Sequence, residues 1–214
     1  MKSQNLKKMT IISMLCAAAF IAVMFVRIPI MPAVPFLKYE PKDIIIVIGG
    51  FIYGPMAAFA VSAIVSVIEF ISISETGVIG LVMNIISSCS FACVASAIYK
   101  ARRTMSGAIM GLVCGVVAMS ALMLLWNYLI TPLYMKIDRA VIQAMLIPAF
   151  LPFNLIKGAL NMALTLILYK PVITALRKSG ALPQASYKSS NKTSVILGIV
   201  FLAISLFALY IVSK

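Results

Sequence analysis

Leu151-Pro152-Phe153-Asn154-Leu155-Ile156-Lys157-Gly158-Ala159-Leu160-Asn161 opens an apolar segment that runs on to about Lys170, long enough for a membrane-spanning helix. Within it Asn154, Lys157, Gly158 and Asn161 fall at i, i+3, i+4 and i+7, one face of a helix. A lysine and two asparagines aligned inside hydrocarbon are costly unless they face protein, water or a ligand. Gly158 removes a side chain from the middle of that face, where something bulky can approach the backbone. Two readings compete. In one, Lys157 snorkels to the headgroups and the asparagines hold helices together. In the other, the default for an intramembrane ionisable residue, the stripe is the wall of a polar ligand site.

The rest of the chain suits a membrane. Of its 214 residues 63% are hydrophobic and only 11% charged, with a mean hydropathy of +1.11; soluble domains are about 25% charged. An all-α, polytopic membrane protein follows. The 18 basic residues outnumber five acidic ones and gather in clusters flanking the apolar runs. That is the pattern of the positive-inside rule rather than of a nucleic-acid surface. With no histidine in the chain, and with Cys16, Cys89, Cys93 and Cys114 all inside apolar segments, a metal site is not expected. No phosphate-binding Gly-x-x-x-x-Gly-Lys-Ser/Thr loop occurs, and no nucleophile has a base nearby in sequence. The chain reads as a binder without catalytic residues or cofactor.

Taken in order, Lys2, Lys7 and Lys8 put the N-terminus in the cytoplasm ahead of a first span over 9–27. That span carries a small-residue patch, Ala18-x-x-x-Ala22, on which another helix can sit closely. Residues 28–43 hold four prolines, so they predict an ordered, extended extracellular loop folded back over the bundle as a lid. Asp43 stands where it can cap the next helix. Gly54-Pro55 divides 44–71 into a short helix and a second one returning. Glu69, near the end of the latter, reads as a ligand group or an interfacial carboxylate. A fourth span follows over 77–99, with Asn84 in its outer third, and a fifth with Gly107, Gly111 and Gly115 at small-xxx-small spacing. The fifth ends in Trp126-Asn127-Tyr128-Leu129-Ile130-Thr131-Pro132, where Asn127 and Thr131 add a second polar face. Lys170, Arg177 and Lys178 close the sixth span on the cytoplasmic side. Residues 1–178 thus form a six-helix core, 179–193 a cytoplasmic linker, and 194–214 an additional transmembrane helix that returns Lys214 to the outside.

On that topology Asp43, Glu69, Asn84, Asn127, Thr131, Asn154 and Lys157 lie in the outer half or at its edge, with Asn161 nearest the midplane. The inner half is expected to be hydrocarbon. A channel or proton relay needs polar groups across the whole thickness. A pocket open outward, closed inward and covered by a loop is a capture site, and its release must be driven by a partner.

Three stretches carry a family resemblance: Phe36-Leu37-Lys38-Tyr39 through Gly49-Gly50-Phe51-Ile52-Tyr53-Gly54-Pro55, then Asn127-Tyr128-Leu129-Ile130-Thr131-Pro132-Leu133-Tyr134, then Pro152-Phe153-Asn154-Leu155-Ile156-Lys157-Gly158. Over about residues 9–178 the chain resembles the substrate-binding S component of an energy-coupling-factor vitamin transporter, most closely the riboflavin-specific type. The resemblance implies a plasma-membrane subunit that captures riboflavin and works with a transmembrane coupling subunit and two ATPase subunits, which alone use ATP. It implies that Asn127, Asn154 and Lys157 hydrogen-bond the flavin, that the loop containing Leu37, Lys38 and Tyr39 covers it, and that Ala18 and Ala22 dock on the coupling subunit. A flavin offers a planar ring for Phe36, Tyr39, Trp126 or Phe153, and an edge of alternating donors and acceptors that asparagine amides match. Its ribityl hydroxyls need further partners, for which Thr131, Asn84 and Glu69 are candidates, with Asn161 deeper on the same stripe. The seventh helix and Lys42 beside Asp43 depart from the family pattern. Two alternatives stand beside this reading: another vitamin (biotin, pantothenate, folate or thiamine) on the same fold, with the carboxylate of biotin, pantothenate or folate paired to Lys157, and an intramembrane lipid-modifying enzyme.

Overall fold

The structure, a computed structural model, describes residues 2–31, 37–74, 76–180, 182 and 191–212, with side chains placed from residue 5 and, in the last helix, from residue 194. Phe36, most of the 179–193 linker and Lys214 lie outside the described residues. The element order is α1 (Lys2–Phe25), β1 (Ile28–Pro29), β2 (Lys38–Tyr39), α2 (Lys42–Tyr53), α3 (Pro55–Ser72), α4 (Gly77–Arg102), α5 (Met105–Leu129), α6 (Thr131–Met135), α7 (Arg139–Met145), a π-helical turn over Leu146–Phe150, α8 (Leu151–Lys178) and α9 (Asn191–Val212). Among the described residues six helical segments are long and apolar enough to cross a membrane, and α2, at 12 residues, is the short partner that joins them. The chain is a multi-pass membrane protein.

Local chemistry sets the breaks. α2 stops at Gly54, held at φ 93°, which a residue with a side chain rarely adopts, and Pro55 opens α3 at a position where its missing N–H costs nothing. Thr104 caps α5 by accepting a hydrogen bond from the Gly107 amide at 3.0 Å. Asp138 caps α7 in the same way through the Ala140 amide at 3.1 Å. The prolines of residues 28–43 give an antiparallel hairpin, Ile28 opposite Tyr39 and Pro29 opposite Lys38. Ile30, Met31, Leu37 and Tyr39 are buried against Ile142, Phe150, Phe153 and Ile156, so this segment does fold back over the bundle.

The core runs between α2, α3, α4, α5 and α8 around Val47, Ala58, Val65, Phe91, Leu112 and Met119. At the α4–α5 contact glycines meet the neighbouring backbone. A Cβ built on Gly111 or Gly115 would stand 2.6 Å from the carbonyl oxygen of Ala95 or Phe91, and a helix backbone has no rotamer by which to move aside. Gly111→Ala and Gly115→Ala are each expected to cost about 1–3 kcal/mol, the usual penalty for overpacking. Thermal unfolding in detergent checks this against the outward-facing Val117→Ala (61% exposed); equal midpoints in all three variants would disprove the close contact. Gly158 has the same role toward α5, since an added Cβ would meet Val116 at 2.8 Å. What approaches the backbone there is a neighbouring helix.

α9 leans on α8, with Gly198 set against Ile167 and the Ala163 carbonyl. Only 11% of its apolar window is buried. On α1, Ala19 is fully buried, whereas Ala18 is exposed and Ala22 half-buried, so the Ala18-x-x-x-Ala22 face points away from the bundle.

Candidate functional site

At the hairpin end, side chains from α4, α5 and α8 and the segment before α2 surround a cleft. Leu37 and Lys38 come from the hairpin strand, Asn84 from α4, Asn127 from α5, and Asn154 and Lys157 from α8. Arg27, Glu40, Met83, Ser87, Met123 and Phe153 complete most of its wall. An apolar side chamber of about 410 Å³ continues from it, sharing Leu37, Thr76, Met83 and Asn127 and adding Ile79, Trp126, Ile130, Thr131 and Tyr134.

The two asparagines are held by their own helices. Asn127 donates to the Met123 carbonyl at 2.7 Å and accepts from the Thr131 hydroxyl at 2.9 Å. Asn154 donates to the Phe150 carbonyl at 2.8 Å. Each amide keeps one N–H and at least one lone pair for a ligand, and both residues are 3% exposed. Thr131 therefore orients Asn127 and borders the side chamber instead of lining the main cleft.

Beneath the cleft lies a buried ionic network that sequence reading assembled only in part. Lys42, 1% exposed, contacts Glu69 at 2.6 Å and Glu40 at 3.1 Å. Asn84 donates to Glu69 at 3.0 Å, and Arg27 donates from Nε to Glu40 at 3.0 Å and from Nη1 to the Ile73 carbonyl at 3.3 Å. Asp43, fully buried, accepts from Ser88 at 2.5 Å and from Asn161 at 3.2 Å, and the Lys157 ammonium stands 3.8 Å away. Three cations thus face three carboxylates, so the network is electrically neutral. Burial pushes the Glu40 carboxyl upward, but Lys42, Lys157 and Arg27 together hold it below the usual carboxylate value.

Several expectations change accordingly. Asp43 is no helix cap: Pro41 precedes α2 without a side-chain cap bond, and the Asp43 side chain points inward to α4 and α8. Glu69 is off the cleft wall, being 4% exposed and bound to Lys42. Asn161, with no exposure, holds Asp43 below the cleft, and its Oδ1 has no hydrogen-bond partner. Tyr39 packs under the hairpin without lining the cleft. Lys42, which the sequence marked only as a departure, is the centre of the network. Its signal was present, since three of the chain's five acids fall within two short outer segments and a buried lysine must meet some of them. The far end is not plain hydrocarbon either. Ser96 is buried there against Gly50, and two clefts open beside Tyr99. They share no lining residue with the hairpin-end cleft, so the two ends stay separate.

Known proteins place this architecture. The model of the family "ECF transporter, substrate-specific component" matches residues 7–169. The chain is 34% identical over 164 residues to the riboflavin transporter FmnP of Bacillus subtilis, covering 72% of this chain and 85% of that one. It is 27% identical over 181 residues to the riboflavin transporter RibU of Staphylococcus aureus, covering 82% and 95%. Among solved structures, one described as "Structure and mechanism of the S component of a bacterial ECF transporter" superposes with a TM-score of 0.68 at 26% identity, over 80% of this chain and 98% of that one. With more than half of its length matched by the family, and the helical bundle shared, the chain belongs to the substrate-specific components of ECF transporters.

Proposed function

We propose that this protein captures riboflavin in the hairpin-end cleft and releases it inward when docked on a coupling subunit driven by two ATP-hydrolysing subunits, with no cofactor of its own. The hairpin end faces outward, the N-terminus lies in the cytoplasm and the C-terminus outside, because Lys7, Lys8, Lys100, Arg102, Arg103, Arg177 and Lys178 gather at the other end. The observation that carries the substrate is the charge balance. Lys157 reaches the cleft with Asp43 already beside it, and Arg27 with Glu40, so an uncharged solute fits without disturbing the pairs. A carboxylate vitamin would bring a negative charge against two cations that already have carboxylate partners, at the cost of desolvating it. The names of the two riboflavin transporters support the same choice. Asn127 and Asn154 supply the donor–acceptor edges that a flavin pyrimidine matches, and the apolar side chamber beside Trp126 suits the hydrocarbon end of the ring.

Purification in detergent should give a protein that quenches riboflavin fluorescence stoichiometrically and ignores biotin, pantothenate and folate. Indifference to riboflavin with binding of a carboxylate vitamin would overturn the assignment. A second expectation concerns the exposed face of α1. Ala18→Leu should leave riboflavin binding intact and lower uptake in cells by about fivefold or more, the effect of a 1–3 kcal/mol overpacking penalty placed in the docking contact. Unchanged uptake would remove that face from the coupling contact.

A further inference from the structure

The end of the bundle opposite the flavin cleft holds two clefts that meet at Phe51, Tyr99, Arg103 and Arg177, of about 1,030 and 970 Å³. Their floor is aromatic. Phe51 stacks on Tyr99 with ring centroids 4.3 Å apart, and the Tyr99 and Tyr169 hydroxyls lie 2.8 Å from each other. Their rim is cationic, formed by Lys100, Arg103, Lys170 and Arg177. Among the described residues, the carboxylates of Glu40, Asp43, Glu69 and Asp138 belong to the hairpin end. A positive end is expected of a membrane protein, but that bias alone does not require cations around a hydroxyl-bearing cleft. Arg103 sharpens the point. It occupies the left-handed position after α4 at φ 46°, where glycine is the usual residue, so a guanidinium is kept at a place that disfavours any side chain.

The larger cleft has a mixed lining. Thr104, Thr165, Thr174 and Ser194 offer hydroxyls, while Ala108, Leu166 and Ile173 offer hydrocarbon, and Ser194 brings in the first turn of α9. A small inorganic anion has no use for the apolar wall, and a neutral lipid has none for the cations. We infer that this basic cleft, lined from α4, α5, α8 and α9, binds the phosphate headgroup of an anionic phospholipid, with the acyl chains lying along the apolar side. Arginine forks take up phosphate oxygens in pairs, and the hydroxyls bond the remainder. The appended helix α9 thereby gains a binding role at Ser194 that the six-helix core lacks.

The test uses the full chain in a neutral detergent and follows thermal unfolding while phosphatidylglycerol, phosphatidylcholine or inorganic phosphate is added. The readout is independent of riboflavin, so it stands or falls apart from the substrate assignment. Phosphatidylglycerol should raise the midpoint saturably, and the other two should not. Arg103→Gln with Arg177→Gln should weaken the apparent affinity about thirtyfold, the effect of losing two charges near anionic lipid. Arg103→Lys with Arg177→Lys should keep most of the response, and Lys136→Gln with Arg139→Gln, an equal loss of charge at the other end, should keep all of it. Should the double glutamine variant not elute as a single species, Lys170→Gln is read in its place. An equal shift with phosphatidylcholine, or an undiminished response in the glutamine variants, overturns the proposal. An equal shift with inorganic phosphate would assign the cleft to soluble phosphate esters, and a response to polyglutamate without one to phosphatidylglycerol would assign it to an acidic protein; either rejects the lipid.

Discussion

Lys42→Met will lower the stability of the folded bundle by about 3–5 kcal/mol, the range for removing one partner from a buried ionic pair. The ammonium is 1% exposed and contacts carboxylate oxygens of two glutamates at 2.6 and 3.1 Å. Without it Glu40 keeps Arg27 and Glu69 keeps Asn84, but two carboxylates stand buried against a single full cation. Adding Glu69→Gln to Lys42→Met should recover a large part of the loss, because Asn84 can still bond the amide and the surplus charge is gone. Denaturant or thermal unfolding in detergent measures both variants. Wild-type stability in Lys42→Met would mean that the network does not hold the hairpin end. The same network has an acid limit. Since the folded Glu40 carboxyl lies below its ordinary value, its contribution is present above the unfolded value and disappears as pH falls through the folded one. Unfolding midpoints should therefore drop on acidification, and that drop should be smaller in Glu40→Gln.

What the sequence disclosed and what it hid divide by distance along the chain. The Gly54-Pro55 break, the proline-rich hairpin, the glycine ladder of α5 and the polar stripe of α8 are local patterns, and helix periodicity or backbone chemistry reads them directly. The stripe also picked out cleft residues: Asn154 and Lys157 line the cleft together with Asn127 and Asn84. The network is not local. Lys42 meets Glu69 across 27 residues and Asp43 meets Asn161 across 118, and no periodicity reports a partner on another helix. Asp43 was misread for that reason: an acid at a helix start suggests a cap, and only packing shows its side chain turned to α4 and α8. The basic clefts at the far end escaped by the same route, since their rim comes from α4 and α8 and each cation alone looks like an ordinary topogenic charge.

Lys157→Ala and Asn127→Ala should each weaken riboflavin binding by about 1–3 kcal/mol, or roughly 5- to 150-fold, if each leaves a buried ligand atom without its partner. The two losses have different structural companions. Removing the Asn127 amide also frees the Thr131 hydroxyl, which bonded it at 2.9 Å, so Thr131→Val in the same chain should add little further loss. Removing Lys157 leaves the fully buried Asp43 carboxylate with Ser88 and Asn161 but without its own ion pair, so part of any loss reflects a destabilised apoprotein. Asp43→Asn separates these contributions. Lys157→Ala with Asp43→Asn restores charge balance, and its unfolding midpoint should recover toward wild type while riboflavin affinity stays low. Flavin fluorescence quenching and thermal unfolding, measured on the same preparations, give both numbers. Recovery of affinity together with stability would make Lys157 a counterion that shapes the cleft without touching the flavin. Wild-type affinity in both Lys157→Ala and Asn127→Ala would move the binding site away from α5 and α8 altogether. Persistent weak binding in a stable double variant assigns the ammonium to the ligand, with Asp43 keeping it in place.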